Sequence, residues 1–332
     1  MRRRDALRVI GLGAAVLAGG VRLPTAESGN ASLPRPRGRT VRVCYTAGYA
    51  GSAHAFATTR KARWVADSLA SKPITGVELV PNEPLTEAAV ARVHEPAYVT
   101  AVRTGMPRAL AESQGFAWDP QLWPMVLASN GGVVAAVSTA LANGVAGSLS
   151  SGLHHARRDR GGGFSTFNGL AIAALHALDH GAKHVLIVDL DAHCGGGTHS
   201  LLGTNPAIHQ LDVSVAAFDS YQPSGRNTLD LLGKAKFYLP TIERRLMELW
   251  SERFDLCLYN AGMDPHEHCP IGGLTGIDKS VLAKRENLVF SWCQQKQLPV
   301  AFVLAGGYIG PGLDLAELVD LHRLTLKAAS TA

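Results

Sequence analysis

Three side chains that could bind a metal ion are spaced two residues apart in the middle of the chain. An apolar run, Val185 to Val188, is followed by Asp189-Leu-Asp191-Ala-His193. Such a run is typical of a buried parallel strand, and an extended chain beyond it would send all three side chains to one side. We interpret Asp191 and His193 as two ligands of one metal ion. A strand that simply ends in polar surface residues is the alternative for these residues alone.

Further reactive side chains follow other predicted strands. The adjacent histidines His154 and His155 lie in a glycine-rich loop, a pairing that is uncommon outside metal and proton-transfer sites. Asp264 stands just past a strand, and Tyr308 follows two glycines after the last strand. Open α/β sheets place their chemistry at the carboxyl ends of the strands. All of these side chains are therefore expected at the edge that bears residues 189–193.

A metal centre follows from combining these groups. Asp191, His193 and Asp264 make a set of two carboxylates and one imidazole, which leaves a coordination position open, as in catalytic Zn²⁺ sites. Such an ion would acidify a water molecule and polarise a substrate carbonyl. A binuclear manganese site would need another carboxylate two residues after the histidine, and Gly195 stands there.

The other polar residues complete a hydrolytic centre around that ion. His154 and His155 would supply a general acid and a general base. Asp189 would hold His154 in one tautomer, and the hydroxyl of Tyr308 would donate to the developing oxyanion.

The order of elements predicts an α/β fold. Strands alternate with helices along the chain, which indicates a single-domain, three-layer fold with a mostly parallel central sheet flanked by helices. Strands are predicted at 41–45, 76–80, 147–149, 185–188, 213–218, 256–259 and 299–304. Helices are predicted at 58–70, 85–93, 96–102, 121–143 (interrupted near Gly131-Gly132), 166–180, 240–250, 279–295 and 313–328. One domain, residues 41–330, accounts for all of them.

The amino-terminal region differs in composition from this domain. Residues 1–40 carry eight arginines and two acidic residues, a net charge of +6. The rest of the chain therefore carries −1 of the total net charge of +5. A near-neutral body gives no electrostatic footprint for nucleic acid. Arg2 to Arg4 precede an apolar run, Val9 to Val21, that is too short to span a bilayer comfortably.

This pattern resembles a twin-arginine export signal. It predicts a signal segment over residues 1–31, a linker over residues 32–40 and an exported, periplasmic protein with no stable membrane span after signal removal. A cytoplasmic protein with a mis-assigned start is the alternative. The five cysteines form no paired motif and are interpreted as small core residues.

Several short motifs, taken in order, resemble those of the zinc-dependent histone deacetylase family of the arginase/deacetylase fold, and most closely its class IV branch. They are His-His-x-x-x-Asp-Arg-Gly-Gly-Gly-Phe at 154–164, Asp-Leu-Asp-Ala-His at 189–193, Tyr-Asn-Ala-Gly-x-Asp at 259–264, Gly-Gly-Leu at 272–274, Lys-Arg-Glu-x-Leu-Val-Phe at 284–290 and Gly-Gly-Tyr at 306–308. The similarity covers about residues 41–325.

This resemblance implies roles for some of the motif residues. The implied zinc ligands, binding one ion, are Asp191, His193 and Asp264. The implied catalytic groups are the histidine dyad, with His155 as general base, and the tyrosine Tyr308. Gly163 and Phe164 match the wall of a narrow acyl-lysine channel. A structural monovalent cation, K⁺, is also implied near the backbone of residues 189–193.

The activity so implied is removal of an acyl group from an acylated lysine peptide or a small acylated amine. Several positions depart from the family, among them Gly196, which stands where Asp or Asn often partners the second histidine of the dyad, and the segment 218–227 is too diverged to assign. We therefore expect His155 to have no carboxylate or amide to orient it. A catalytically impaired protein that binds an acyl ligand or a metal is the alternative function.

Overall fold

The computed structural model describes residues 40–52, 54 and 56–332. The predicted signal segment and nearly all of the predicted linker lie outside these residues. Eight strands form the sheet: β1 (Val41–Cys44), β2 (Val77–Val80), β3 (Val145–Ser148), β4 (Val185–Asp189), β5 (Ile208–Ser214), β6 (Thr228–Leu231), β7 (Leu256–Ala261) and β8 (Val300–Leu304).

All eight strands are parallel, in the order β2-β1-β3-β8-β7-β4-β5-β6. Asp189, the last residue of β4, pairs with Asp212 of β5 on one side and with Asn260 of β7 on the other. Because the strands are parallel, their carboxyl ends meet at one edge, where the loops after five neighbouring strands come together.

Ten α-helices lie within the described residues and flank the sheet. They are α1 (Ala57–Ser71), α2 (Glu87–Ala91), α3 (Pro96–Thr104), α4 (Arg108–Ala111), α5 (Leu122–Asn143), α6 (Gly169–Asp179), α7 (Gly196–Leu202), α8 (Tyr238–Glu248), α9 (Lys279–Gln295) and α10 (Leu315–Ser330). Asn168, Asp278 and Asp314 cap α6, α9 and α10 with their side chains.

The two faces of the sheet pack into separate apolar cores. In β4, Leu186 and Val188 face the core beneath α1, α8, α9 and α10, whereas Val185 and Ile187 face the core beneath α3, α5 and α6. This alternation follows from the two-residue period of a strand, and it explains why β4 has no polar face. The predicted three-layer α/β fold is confirmed.

Some sequence-based element predictions are wrong. Helix α5 runs without a break through Gly131 and Gly132, which are there because a side chain at Gly131 would overlap the Glu83 carbonyl and one at Gly132 the Tyr49 hydroxyl. Helix α5 is also long and apolar enough to cross a membrane, but half of its most apolar stretch is buried inside the protein.

Around β5 the prediction also fails. Strand β5 begins five residues before the predicted start. The prediction missed these residues because buried polar side chains, among them Gln210 and Asp212, interrupt the apolar pattern. Strand β6 and helix α7 were missed because each is short and neither has a clear apolar period.

Gly147 in β3 offers a test of the central packing. It pairs with Phe302 of β8, and a Cβ atom at Gly147 would overlap the Phe302 ring. We expect Gly147→Ala to lower the free energy of unfolding by about 1–3 kcal/mol, the usual cost of overpacking a core. Gly233→Ala is the control, since a Cβ there meets no atom within 4 Å. Equal denaturant midpoints for the two variants would contradict this packing.

Candidate active site

The carboxyl edge of the sheet brings every predicted site residue together. The loop after β3 carries the two histidines and the loop after β7 carries Asp264, while the glycines that precede Tyr308 follow β8. The segment after β4 bends at residues 191–192 and carries Asp191 and His193, and an isolated bridge joins His193 to Ala216.

Asp191, His193 and Asp264 form the one metal-competent group found among the described residues, with ligand atoms all within 4.8 Å of one another. The Nδ1 atom of His193 lies 3.1 Å from Oδ1 of Asp191 and 3.1 Å from Oδ2 of Asp264. Backbone N–H groups hold both carboxylates: Gly306 donates to Oδ2 of Asp191 at 2.7 Å and Ala192 to Oδ1 of Asp264 at 3.0 Å.

The residues fit a bound cation. Oδ2 of Asp264 is buried, and although Nδ1 of His193 lies 3.1 Å away, this oxygen accepts no well-directed hydrogen bond from the described residues. Burial, followed by repulsion from Asp191, raises the pKa of Asp264 to about 6. Burial disfavours protonation of His193, but its contacts with both carboxylates outweigh that effect and raise its pKa to about 10. Without a metal ion, a proton on His193 thus provides the positive charge that the ion would provide between the two carboxylates.

His154 is held by a buried acid–amide pair. Its Nδ1 atom lies 2.7 Å from Oδ2 of Asp189, whose Oδ1 accepts a 2.8 Å hydrogen bond from Asn260. The predicted contact between Asp189 and His154 is therefore present. Burial opposes protonation of His154, but Asp189 and Asp191 together raise its pKa to about 10. A divalent cation on Asp191 would neutralise that carboxylate and lower the pKa of His154.

The expectation that His155 lacks a partner is wrong. Its Nδ1 atom lies 3.0 Å from Oδ2 of Asp219, in the loop after β5. Asp219 thus supplies the carboxylate that a side chain at position 196 would have supplied. Burial, followed by repulsion from His154, lowers the pKa of His155 to about 4, so its ring is neutral at pH 7 and able to accept a proton.

A third histidine positions the loop that carries the dyad. His94 contacts the carbonyl oxygen of Arg157 through Nδ1 at 2.7 Å and accepts the N–H of Asn168 at Nε2. The amide of Asn168 in turn donates to the carbonyl oxygens of His154 and Ala156. A neutral His94 ring can donate at Nδ1 while it accepts at Nε2, so protonation would break the second hydrogen bond.

Burial lowers the pKa of His94 to about 4, which makes stability depend on pH. Between pH 6.5 and 4 the unfolded chain binds a proton at His94 that the folded chain does not bind. The free energy of unfolding should therefore decrease as the pH is lowered from 6.5 to 4, by about 3 kcal/mol at most from this residue. His94→Gln removes the ionisable group, so urea melts of this variant should show a shallower pH slope. An unchanged slope would contradict this origin of the pH dependence.

Aromatic rings surround the approach to the dyad. Phe164 lies between Phe56 and Phe116, with ring centroids 4.6 Å and 5.3 Å away, and Phe218 meets the His155 ring edge-on at 4.9 Å. A side chain at Gly163, which has φ of 49°, would overlap the His155 ring. Gly163 thus lies against the His155 ring, and Phe164 lies within the aromatic cluster beside it. Phe218, 54% exposed, was missed because the diverged segment after β5 matched no motif.

Tyr308 lies beside the same aromatic cluster and close to the metal-competent group. Its ring is 5.5 Å from Phe56 and 6.2 Å from Phe164. Burial, followed by the charges of Asp264 and Asp191, raises the pKa of Tyr308 well above its usual value, so its hydroxyl keeps its proton and can donate it in a hydrogen bond.

Comparisons with known proteins identify the family of this chain. A model of the histone deacetylase domain matches residues 54–318, which is most of the chain. The chain belongs to the histone deacetylase family, and as a member of it is a deacetylase-type hydrolase. Its fold is the α/β arginase/deacetylase fold of that family.

Individual relatives vary in how far they match. An uncharacterised protein of Picosynechococcus is 34% identical over 246 residues, 71% of this chain and 80% of the relative. Histone deacetylase 2 of Arabidopsis thaliana is 30% identical over 187 residues, 54% of this chain and 48% of that protein. This chain therefore matches about half of the Arabidopsis protein's length.

Two solved structures share the fold at low sequence identity. The HD domain of HDA15 has a TM-score of 0.73 at 20% identity and covers 89% of this chain and 90% of its own. An acetylpolyamine aminohydrolase of Burkholderia pseudomallei has a TM-score of 0.72 at 17% identity and covers 87% of this chain and 98% of its own. At these identities the likeness shows the fold alone.

Proposed function

We propose that this protein is a zinc-dependent amide hydrolase that removes an acyl group from an acylated lysine or a lysine-like amine. The observation that carries the proposal is the juxtaposition of Asp191, His193 and Asp264 with the histidine dyad at one buried edge. His154 Nε2 lies 3.6 Å from Oδ1 of Asp191, so the dyad and the ligand set are in direct contact. One ion would bind there.

The chemistry follows from what each group can hold or donate. When bound, Zn²⁺ would supply Lewis acidity to a water molecule and to the acyl carbonyl. His155, neutral at pH 7, is the group able to take the proton of the attacking water. His154, whose Nδ1 contacts Asp189, would act as the general acid towards the leaving amine. The hydroxyl of Tyr308 is available to the oxyanion.

The channel residues suggest what the substrate looks like. Phe164 and Phe218 lie on the rim of the site and would hold an extended alkyl stem while they exclude water from the reacting bond. A lysine-like amine has such a stem. A polyamine deacetylase of Homo sapiens, HDAC10, is 33% identical over 135 residues, 37% of this chain and 20% of that protein, which puts acylated polyamines among the substrates to test.

A panel of acylated amines tests the proposal. Acyl length should vary from acetyl to long chains, since the class IV likeness makes longer groups worth testing, and each acyl group should be carried by a lysine peptide and by a polyamine. We expect hydrolysis of at least one combination by protein that contains one zinc ion. A zinc-loaded, folded protein that hydrolyses no member would contradict the enzyme and favour a non-catalytic acyl-binding role, which ligand-binding calorimetry would then detect.

The proposed location rests on the sequence of residues 1–31 alone. We propose export through a twin-arginine pathway, because Arg2 to Arg4 precede a short apolar run. Cell fractionation of a tagged chain should find it in the periplasm, and lysine in place of Arg3 and Arg4 together should retain it in the cytoplasm. Equal cytoplasmic retention of both chains would contradict export.

A further inference from the structure

We infer that Asp219 is the positioning residue for His155 and that the glycine at position 196 exists because Asp219 occupies the space a side chain would need there. The inference rests on the proposed function, since His155 is the base of that reaction. Asp219 lies 64 residues from His155 in sequence, yet the two side chains are 3.0 Å apart. The arrangement transfers the orienting carboxylate from the α7 segment to the loop after β5.

Asp219 is held firmly in place. The guanidinium of Arg157 donates to its Oδ1, and the backbone N–H of Gly197 donates to its Oδ2 at 2.9 Å. The Asp219 side chain is 9% exposed, and its backbone has φ of 58°. Few side chains other than Asn and Asp adopt that conformation readily, so the loop is built to present a carboxylate at this place.

Position 196 could not bear a side chain while Asp219 is there. A Cβ atom at Gly196 would overlap the carbonyl oxygen of Asp219 and lie 2.7 Å from Oδ1. The backbone oxygen cannot move without moving the loop, so the clash is not relieved by a rotamer change. Residues 196 and 219 are therefore alternative sources of one orienting group, and only one can be used.

The hydrogen-bond pattern defines which nitrogen of His155 is free to accept a proton. Carboxylates only accept, so His154 donates from Nδ1 to Asp189 and His155 donates from Nδ1 to Asp219. The Nε2 atoms of the two rings are 3.0 Å apart. A neutral His155 with hydrogen on Nδ1 has its acceptor lone pair on Nε2, the nitrogen that lies beside Nε2 of His154. Asp219 thus selects the tautomer that a general base requires.

Kinetics of two variants at position 219 test this assignment. Asp219→Ala should lower kcat by about 10- to 100-fold, the usual effect of removing a partner that orients a functional histidine, with KM changed less than about twofold. Asp219→Asn keeps an oxygen acceptor for the Nδ1 proton and should recover most of kcat. Asp67→Ala, which removes an exposed acid of α1 outside the quoted motifs, is the control and should match the unsubstituted protein.

A spectroscopic readout separates positioning from catalysis. In proton NMR spectra, the hydrogen-bonded imidazole N–H of His155 should give a low-field signal in the unsubstituted protein and in Asp219→Asn. Its absence in His155→Ala identifies this signal. It should be lost in Asp219→Ala, and also in Gly196→Ala, whose Cβ would displace the carboxylate. Unfolding midpoints and zinc content would show that each variant remains folded and loaded.

The outcomes separate this inference from the proposed function. If the unsubstituted protein hydrolyses no acylated amine, the proposed function fails, and the imidazole signal alone still decides whether Asp219 orients His155. If Asp219→Ala keeps kcat within twofold, or keeps the His155 N–H signal, the inference is overturned. Equal losses in Asp219→Ala and Asp219→Asn would also overturn it, because an amide oxygen would then fail to replace the carboxylate.

Discussion

Alanine in place of Asp191 is expected to abolish metal binding and hydrolysis together. The carboxylate lies 3.1 Å from His193 and is held by the N–H of Gly306. Its removal takes one of three ligands from the ion, and the two that remain are too few to hold it. We expect kcat/KM to fall by about 10³-fold or more, since Lewis acid stabilisation is worth several kcal/mol. Elemental analysis and the hydrolysis assay would be made on the same preparation.

A neutral isostere and a surface acid serve as controls for that experiment. Asp191→Asn keeps the shape, although its single amide oxygen can accept only one of the two backbone hydrogen bonds that reach separate carboxylate oxygens. It should fold and yet bind the ion weakly. Asp320→Asn removes an exposed acid that pairs with Lys279 and should change neither zinc content nor rate. Normal zinc content and normal hydrolysis in Asp191→Ala would show that the ligand set is wrong.

Phenylalanine in place of Tyr308 should separate metal binding from turnover. Tyr308 is buried beside Phe56 and Phe164, so the ring should keep its packing when only the hydroxyl is removed. The hydroxyl is the group we assign to the oxyanion, and loss of one such donor costs about 10²- to 10³-fold in kcat. Zinc content should stay at one ion per chain.

Tyr45→Phe is the matched control for this change. Tyr45 is only partly buried, and its hydroxyl is not assigned to the site, so the same loss of an oxygen atom should leave kcat unchanged. A Tyr308→Phe protein with kcat within twofold of the unsubstituted protein would remove Tyr308 from the mechanism. Loss of zinc in that variant would instead indicate a structural role at the metal centre.

The parts of this molecule that could be predicted from sequence are those carried by local patterns. The run Val185 to Val188 is apolar at every position because β4 is buried on both faces, and its polar end identified the reactive edge of the sheet. Asp264 and Tyr308 were located because each follows a recognisable buried strand. The convergence of these residues then followed from the parallel arrangement alone.

The parts that failed depend on contacts between distant segments. Asp219 meets His155 through a loop whose position is determined by β5, and the polar residues buried in β5 misled the prediction of that strand. The useful signal was the glycine at position 196, which indicated a missing side chain but not where its replacement would come from. Phe218, the neighbour of Asp219, was missed for the same reason.

Reconstitution of metal-stripped protein with zinc tests the central claim most directly. Chelator-treated protein would be titrated with Zn²⁺ while hydrolysis of the best acylated amine is followed. We predict no activity without metal and a linear rise that ends at one equivalent of zinc per chain, because Asp191, His193 and Asp264 form a single three-ligand group. Full activity in the metal-free protein, or a rise that continues to two equivalents, would contradict a mononuclear zinc hydrolase.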